Sequence, residues 1–479
     1  MENKEQTIET LFGSQPNILF ILSDDHGYSD LSFYGRDEAV HTPNLDRLRN
    51  SGMLFEQGFV SAPICSPSRA GLITGSHQQR WGAEWFGNSK FAPKGYAILP
   101  EVLQQAGYQT GYFGKVHYGP DVPGGRSCPD QHGFDTSFYG LAAQGMGRLH
   151  YMIHVKDAEV AYGEAANRHG MHAMYENGQA VDCHEHLTIE FGKRAKAFME
   201  TSIAKEAPYF CMVAFNAVHN FAWQLPQEEL DKRNLPAYPD FNPEMDTYLD
   251  WYDGAISPNL PNGRAYYLAQ LELMDQEIGR LLDTLDETGT KEQTIVVYLT
   301  DNGGSSCNYG VNAPLTGTKY SLFEGGIRVP YLVSWPSVIT AGKQTNELAS
   351  SLDLMPTFAY LAGATIAPEV PIDGLNLVPH FIGEGKGHEA LYFDTGFQWS
   401  VRTKDWKLHE VHSDEESQNA RRVMQEVEHS DIGQGQSLFQ LTQRVTENPA
   451  DNLLEAYPER AVEMTKMYAS WANKIKPKK

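Results

Sequence analysis

At 479 residues the chain exceeds the length at which one hydrophobic core stops growing, so one large domain with a smaller companion is expected. Hydrophobic residues make up 41% of it and no low-complexity tract is sustained, which excludes disorder. The formal charge of -23, from 61 acidic against 38 basic side chains, argues against extended contact with a nucleic-acid backbone or an anionic membrane, so an anionic ligand must meet a local cluster of cations.

The chain opens on MENKEQTIETLFGSQPN, polar and acidic where an export signal would be basic and then apolar, and residues 1–15 read as a polar extension. No window approaches the roughly 20 apolar residues of a membrane span. PNILFILSDD is a short apolar run that delivers Asp24 and Asp25 at its carboxyl end, and HTPNLDRLRNSG is a short helix with Pro43 near its start and Gly52 at its stop. MLFEQGFV is extended; ILPEVLQQAGYQTGYFGK gives a helix, a glycine break and a strand. Residues 187–203 are helical and lead into the strand YFCMVAFN. Residues 263–289 form a long amphipathic helix, followed by TIVVYLTDNGG, a second apolar strand ending in Asp301 and Asn302. PYLVSWP and SLDLMPTFAYLAG add a strand and a helix. Strands separated by helices over this length predict an α/β fold, a large mostly parallel sheet flanked by helices, with ligands beyond the carboxyl ends of the strands.

After residue 384 the texture changes. GEGKGHEA reads as a linker, ALYFDTGFQWSVRTKDWKLHEVH as aromatic-rich extended runs turned at TKD, and SDEESQNARRVMQEVEHSDIGQGQ as a polar excursion over the surface. YPERAVEMTKMYASWANKI is a terminal helix. The expected division is a large α/β domain over 16–384 and a smaller C-terminal domain of antiparallel sheet and helix over 385–479.

Five cysteines, at 65, 128, 183, 211 and 307, are odd in number and form no CxxC pair; four read as buried small hydrophobes, whereas Cys65 has polar neighbours. Asp24 with Asp25, and Asp301 with Asn302, taken singly, suit caps or turns. Brought together, three carboxylates and an amide oxygen would repel without a cation, and they offer hard oxygen ligands of the kind calcium or magnesium takes.

APICSPSRAGLITG resembles the signature of the type I sulfatases of the alkaline-phosphatase-like superfamily, C-x-P-S-R followed by T-G, here Cys65, Pro67, Ser68, Arg69, Thr74 and Gly75. NILFILSDD, GKVHYG, YLTDNGG and TKYSLFEGGIRVP are similar to further elements of that family, so the resemblance spans roughly residues 16–380. It implies a sulfuric ester hydrolase acting on a sulfated oligosaccharide or polysaccharide, with Cys65 converted to Cα-formylglycine by a maturation enzyme. The hydrated aldehyde would attack sulfur, pass through a sulfoenzyme and expel sulfate with its second hydroxyl. The same resemblance implies Asp24, Asp25, Asp301, Asn302 and the modified Cys65 as ligands of Ca2+ rather than Mg2+. It implies Arg69 beside the formylglycine hydroxyl, Lys115 and Lys319 on sulfate oxygens, His117 at aldehyde release and His219 at the leaving oxygen. AVHNF departs from the family's usual pattern, which has a proline two positions after this histidine. His26 reads as a supporting residue.

For the substrate, His77, Arg80, Trp81 and Trp85 after the nucleophile, and Arg148 and His150 in GRLHYMIH, could cover a sugar face or bind neighbouring anions; as single residues they also suit packed loops. A periplasmic or secreted address is expected. A formylglycine-dependent phosphodiesterase or phosphonate monoester hydrolase would share the nucleophile motif, and an inactive glycan-binding protein is the reading from a different class.

Overall fold

The computed structural model describes residues 15–476 apart from 86–88, 142–172, 182, 220, 240–244, 246–249, 252–253, 416, 419–424, 426–427, 429–431 and 443–445. The apolar runs read from the sequence form strands. β1 is Asn17–Ser23, β2 Met53–Phe59, β3 Gln109–Lys115, β4 Thr136–Gly140, β5 Met174–Glu176 and β6 Gln179–Val181. β7 is Tyr209–Ala214, β8 Thr294–Thr300, β9 Tyr331–Ser334 and β10 Lys343–Ser350. They make one ten-stranded sheet in the order β10-β2-β9-β8-β1-β7-β3-β4-β5-β6. The centre is parallel; β9, the PYLVSWP strand, runs antiparallel to both β2 and β8, and β5 and β6 close one edge antiparallel.

Both faces of the sheet are covered, which is why its central strands are apolar throughout instead of alternating. Ile18, Phe20 and Leu22 pack with helices α2 (Cys65–Thr74), α3 (Leu99–Gln105) and α7 (Leu354–Leu361). Leu19 and Ile21 pack on the other face with α1 (Pro43–Ser51), α4 (Leu187–Ala204) and α6 (Gly263–Glu287), while α5 (Gln227–Arg233) adds Leu230 to that layer. Asp275 of α6 caps α1 from outside: its carboxylate accepts from the backbone N–H of Asn44 at 3.0 Å and of Leu45 at 2.9 Å, two of the donors that a helix start leaves unsatisfied.

The C-terminal part is a separate four-stranded antiparallel sheet, β11 (Ala390–Asp394), β12 (Gln398–Thr403), β13 (Trp406–Val411) and β14 (Gly435–Gln440), in sequential order. Helix α8 (Pro458–Ile475) lies on it, with Tyr468 stacked on Trp399 at 4.0 Å between ring centroids. This sheet grips the large one through buried polar groups. Gln398 accepts from the Leu322 N–H at 3.1 Å and donates to the Tyr320 carbonyl at 2.7 Å, and Glu324 accepts from Arg402 at 3.2 Å and Lys407 at 3.1 Å.

The polar tract before β14 departs from its reading as a surface excursion: Glu428 within it is 2% exposed and packs against the loop after β8. Cys65, Cys128, Cys211 and Cys307 are buried, Cys183 is half-buried, and all five are free thiols. Among the described residues no helix is long and apolar enough to cross a membrane.

Candidate active site

Parallel register builds the site. β1 and β8 pair Ser23 with Thr300, so the next residues, Asp24 and Asp301, leave the sheet side by side; β1 pairs Leu22 with Ala214 of β7, and Ala214 pairs with Gly114 of β3. Asp24, Asp25, Asp301, Asn302, Lys115 and the 216–219 turn therefore emerge at one edge. Gly114 sits at φ +141 with a Cβ position only 1.9 Å from the Ala214 carbonyl, so a side chain there would force β3 and β7 apart just before Lys115. Gly303 is equally constrained, its Cβ position lying 1.8 Å from the Gly325 carbonyl, and this close approach packs the YLTDNGG loop on the EGG segment. Asp25 (φ 54), His117 (φ 46) and Tyr320 (φ 71) hold left-handed backbone without being glycine; strain of this kind persists where surrounding contacts over-determine it.

Cys65 is the first residue of α2 and is buried, its Sγ 3.6 Å from Asp24 Oδ1 and 3.9 Å from Asp25 Oδ1. One turn on, Arg69 donates from Nε to Asp301 Oδ2 at 2.7 Å, from Nη2 to Asp24 Oδ2 at 3.3 Å and from Nη1 to the Lys115 carbonyl at 2.8 Å. Lys115 Nζ is bonded to Asp24 Oδ2. Lys319 Nζ donates to Asp25 Oδ2 at 2.8 Å and lies 3.3 Å from His219 Nε2, which is itself 3.5 Å from Asp25 Oδ2. Asn302 donates to Asp25 Oδ1 at 2.6 Å, and its own Oδ1 is buried with no hydrogen-bond partner among the described residues. His117 Nδ1 is in the same condition.

Three carboxylates thus face three cations in a dry site. Burial opposes ionisation of Asp24 and Asp25, but Lys115, His219 and Arg69 around the first and Lys319 and His219 around the second hold both carboxyls below the ordinary range. Burial also opposes charge on Lys319, yet Asp25 pushes its pKa well up. Burial, joined by the charge of Asp301, pushes the Cys65 thiol far above its usual range, so an unaltered Cys65 is a neutral thiol and a poor nucleophile. Burial and then Lys115 push His117 well below its usual range, leaving that ring neutral at neutral pH, while burial and then Lys319 also depress His219.

The donor set fits a hard divalent cation. Asp24, Asp25, Cys65 and His219 bring ligand atoms within 4.8 Å of one another; the orphaned Asn302 oxygen adjoins Asp25, and Asp301, outside that group of four, has its Oδ1 3.3 Å from the Asp25 nitrogen, so the carboxylates and amide supply the hard oxygen donors. Such a cation would turn a neutral balance of fixed charge positive, which suits an anionic ester.

The other candidate residues divide. His77 is tied to Asp373 through its backbone N–H, and its ring meets Trp471 of α8 at 5.1 Å; Arg80 donates to Asp373 from Nε at 2.8 Å and from Nη2 at 2.6 Å. Both fasten the loop after α2 to the PIDGLNL segment. Trp81 donates to the Lys90 carbonyl and packs edge-on to Tyr96. Among the described candidates Trp85 packs toward the site, against Phe397 at 4.8 Å and against Tyr320, next to Lys319, at 5.6 Å. Arg148 and His150 lie outside the described residues. His26 supports β8: its Nδ1 is 2.5 Å from the Tyr298 hydroxyl and its Nε2 2.6 Å from the Asp30 carbonyl. Missed in the sequence were Asn308, whose amide donates to the Val218 carbonyl beside His219 at 2.7 Å, and Glu428. Neither sits in a recognisable pattern, and only tertiary packing brings them in.

Residues 16–364 match the family described as Sulfatase. Bovine (Bos taurus) arylsulfatase A is 31% identical over 426 residues, covering 84% of this chain and 77% of that protein. Mouse (Mus musculus) arylsulfatase J is 29% identical over 425 residues, and the matched region spans 82% of this chain and 64% of the length of that relative. Among solved structures, Ps i-CgsB in complex with k-i-k-neocarrahexaose superimposes with a TM-score of 0.77 at 26% identity, covering 96% of this chain and 93% of that one.

Proposed function

This chain belongs to the sulfatase family, and from that premise we propose that it hydrolyses the sulfate ester of a sulfated carbohydrate. The observation that carries the reading is the convergence, at one sheet edge, of a helix-initiating Cys65 with three buried carboxylates, Arg69, two buried lysines and His219. A sulfate ester is a poor electrophile with a basic leaving alkoxide. Its hydrolysis needs a strong nucleophile, positive charge on the nonbridging oxygens and an acid at the bridging oxygen.

Cys65, converted to formylglycine by a maturation enzyme, would supply as its hydrate one hydroxyl for attack on sulfur and a second for release of sulfate. Asp24, Asp25, Asp301 and Asn302 would hold Ca2+, which supplies Lewis-acid polarisation of the ester oxygens. Arg69, fixed by Asp301 and the Lys115 carbonyl, compensates negative charge at position 65 one helical turn away. Lys115 and Lys319 would bind sulfate oxygens, a role supported by the carboxylates that hold both, so that little reorganisation is needed when charge develops. The Lys319–His219 pair holds the proton nearest the leaving oxygen, and neutral His117 can accept one from the hydroxyl that expels sulfate.

A carbohydrate as the alcohol is supported by the neocarrahexaose complex of the similar structure, and within this chain by Trp85 beside Tyr320, an apolar wall next to Lys319. A glycan substrate suits a periplasmic or secreted address, which belongs to the same proposal. The test is a panel of sulfated mono-, oligo- and polysaccharides incubated with matured protein, with released sulfate and product masses followed. Sulfate release from at least one glycan class is expected; release from simple aryl sulfates but from no glycan would refute the substrate class.

A further inference from the structure

Glu428 comes from the polar tract, far from the site in sequence, and is 2% exposed. Among the described residues, the donors to its carboxylate belong to two consecutive residues: Ser305 Oγ donates to Oε1, while Ser306 donates to Oε2 from its backbone N–H at 2.7 Å and from its hydroxyl at 3.0 Å. The Ser306 hydroxyl also lies 2.9 Å from the Glu428 carbonyl. This is a large outlay of buried polar contact on a loop that, among the described residues, has no other hydrogen bond to the C-terminal region.

That loop, residues 303–309, adjoins Asn302, Lys319 and the turn that carries His219. It begins directly after Asn302; Gly303 donates to the Gly326 carbonyl at 2.9 Å, and the Gly304 carbonyl accepts from the Lys319 N–H at 3.1 Å. Asn308 reaches the carbonyl that precedes His219 at 2.7 Å. Glu428 also lies within the electrostatic reach of Lys319 and Asp25. Its field, however, is a less specific influence than three donors from two serines on its carboxylate.

We propose that Glu428 is a positioning residue for the proposed sulfate-ester reaction: it clamps the Ser305–Ser306 turn and thereby sets Asn302, Lys319 and His219 in register with Cys65. The proposal rests on the reading above for its chemistry and on the hydrogen bonds alone for its geometry. Partners that orient ligands from outside the contacting shell commonly change affinity or activity about 10- to 100-fold when removed.

The test compares matured wild-type protein with Glu428→Gln, with a Ser305→Ala/Ser306→Ala double variant, and with the triple variant combining them. The serine variant removes both hydroxyl donors while keeping the Glu428 carboxyl group and the Ser306 backbone N–H bond. Calcium affinity, kcat and KM on an aryl sulfate, and the thermal midpoint are measured for each. Expected is a fall in kcat/KM of about 10- to 100-fold in both Glu428→Gln and the serine variant, carried by kcat, with the triple variant no worse than either. Serine variants at the wild-type rate beside a slow Glu428→Gln, or losses that add in the triple variant, would overturn the clamp. Should Glu428→Gln fail to fold, the serine variant decides alone. If matured wild type releases no sulfate at all, the sulfatase reading falls; calcium binding about 10-fold weaker in the serine variant would still uphold the clamp, and unchanged calcium binding would refute it.

Discussion

Asp301 shows how much one buried carboxylate carries. It bonds Arg69 at 2.7 Å, accepts from the Asp25 N–H at 3.3 Å and is proposed as a calcium ligand, so Asp301→Ala removes a ligand and the shorter of the two carboxylate contacts of a buried guanidinium together. Breaking a buried pair from one side costs about 3–5 kcal/mol. Calorimetric calcium titration and turnover should fall together in this variant; unchanged calcium affinity would remove Asp301 from the ligand set. At this scale the sequence is most informative where chemistry is dense. Asp24, Asp25, Asp301 and Asn302 each follow an apolar run, and a strand that ends in acid already points to a site at a sheet edge. His77 and Arg80 carry residue types as suggestive as those four, but Asp373 lies nearly 300 positions away and its claim on Arg80 has no local trace.

Elements explain why these residues meet. β1, β7 and β8 are legible because they are apolar on both faces, yet the same composition hides direction: nothing in PYLVSWP distinguishes the antiparallel β9 from its parallel neighbours. The polar tract misleads in the opposite sense, since a hydrophilic stretch with no periodicity gives no warning of a buried Glu428. Helix α4 gives a prediction of its own. His186 precedes its first turn, is buried, and its Nε2 lies 3.0 Å from the Gln224 carbonyl; burial, opposed by that backbone contact, pushes its pKa down to about 3. With the folded pKa below the unfolded value, the stabilising contribution is complete above about pH 6.5 and is lost as pH falls toward 3, because the unfolded chain takes up a proton that the folded chain refuses. The stability advantage of wild type over His186→Gln, read from urea midpoints, should therefore shrink by about 2 kcal/mol between pH 7 and pH 5. A constant difference would show that His186 is protonated in the folded state.

Over the whole molecule, the catalytic edge depends on a sheet that contributes none of the proposed metal ligands. Lys407 of β13 is fully buried between Glu324, at 3.1 Å, and Glu447, at 2.8 Å, and Gln398 of β12 holds the backbone that carries Lys319 toward the site. Lys407→Met should lower the unfolding free energy by about 3–5 kcal/mol by leaving Glu447 uncompensated, whereas removing both partners with apolar residues should cost less. A Lys407→Met variant as stable as wild type would mean that the ion pairs of Lys407 add nothing to the hold between the two sheets.

The central claim is that this arrangement acts on sulfate monoesters. The most direct check is kcat/KM measured in parallel on a sulfate monoester, a phosphate diester and a phosphonate monoester, using one preparation in which peptide mass establishes the fraction of Cys65 that has exchanged its sulfur and two hydrogens for an oxygen. The account predicts that the sulfate monoester is the preferred substrate and that the rate scales with the converted fraction. Preference for the diester or the phosphonate, or full activity with Cys65 unconverted, would contradict it.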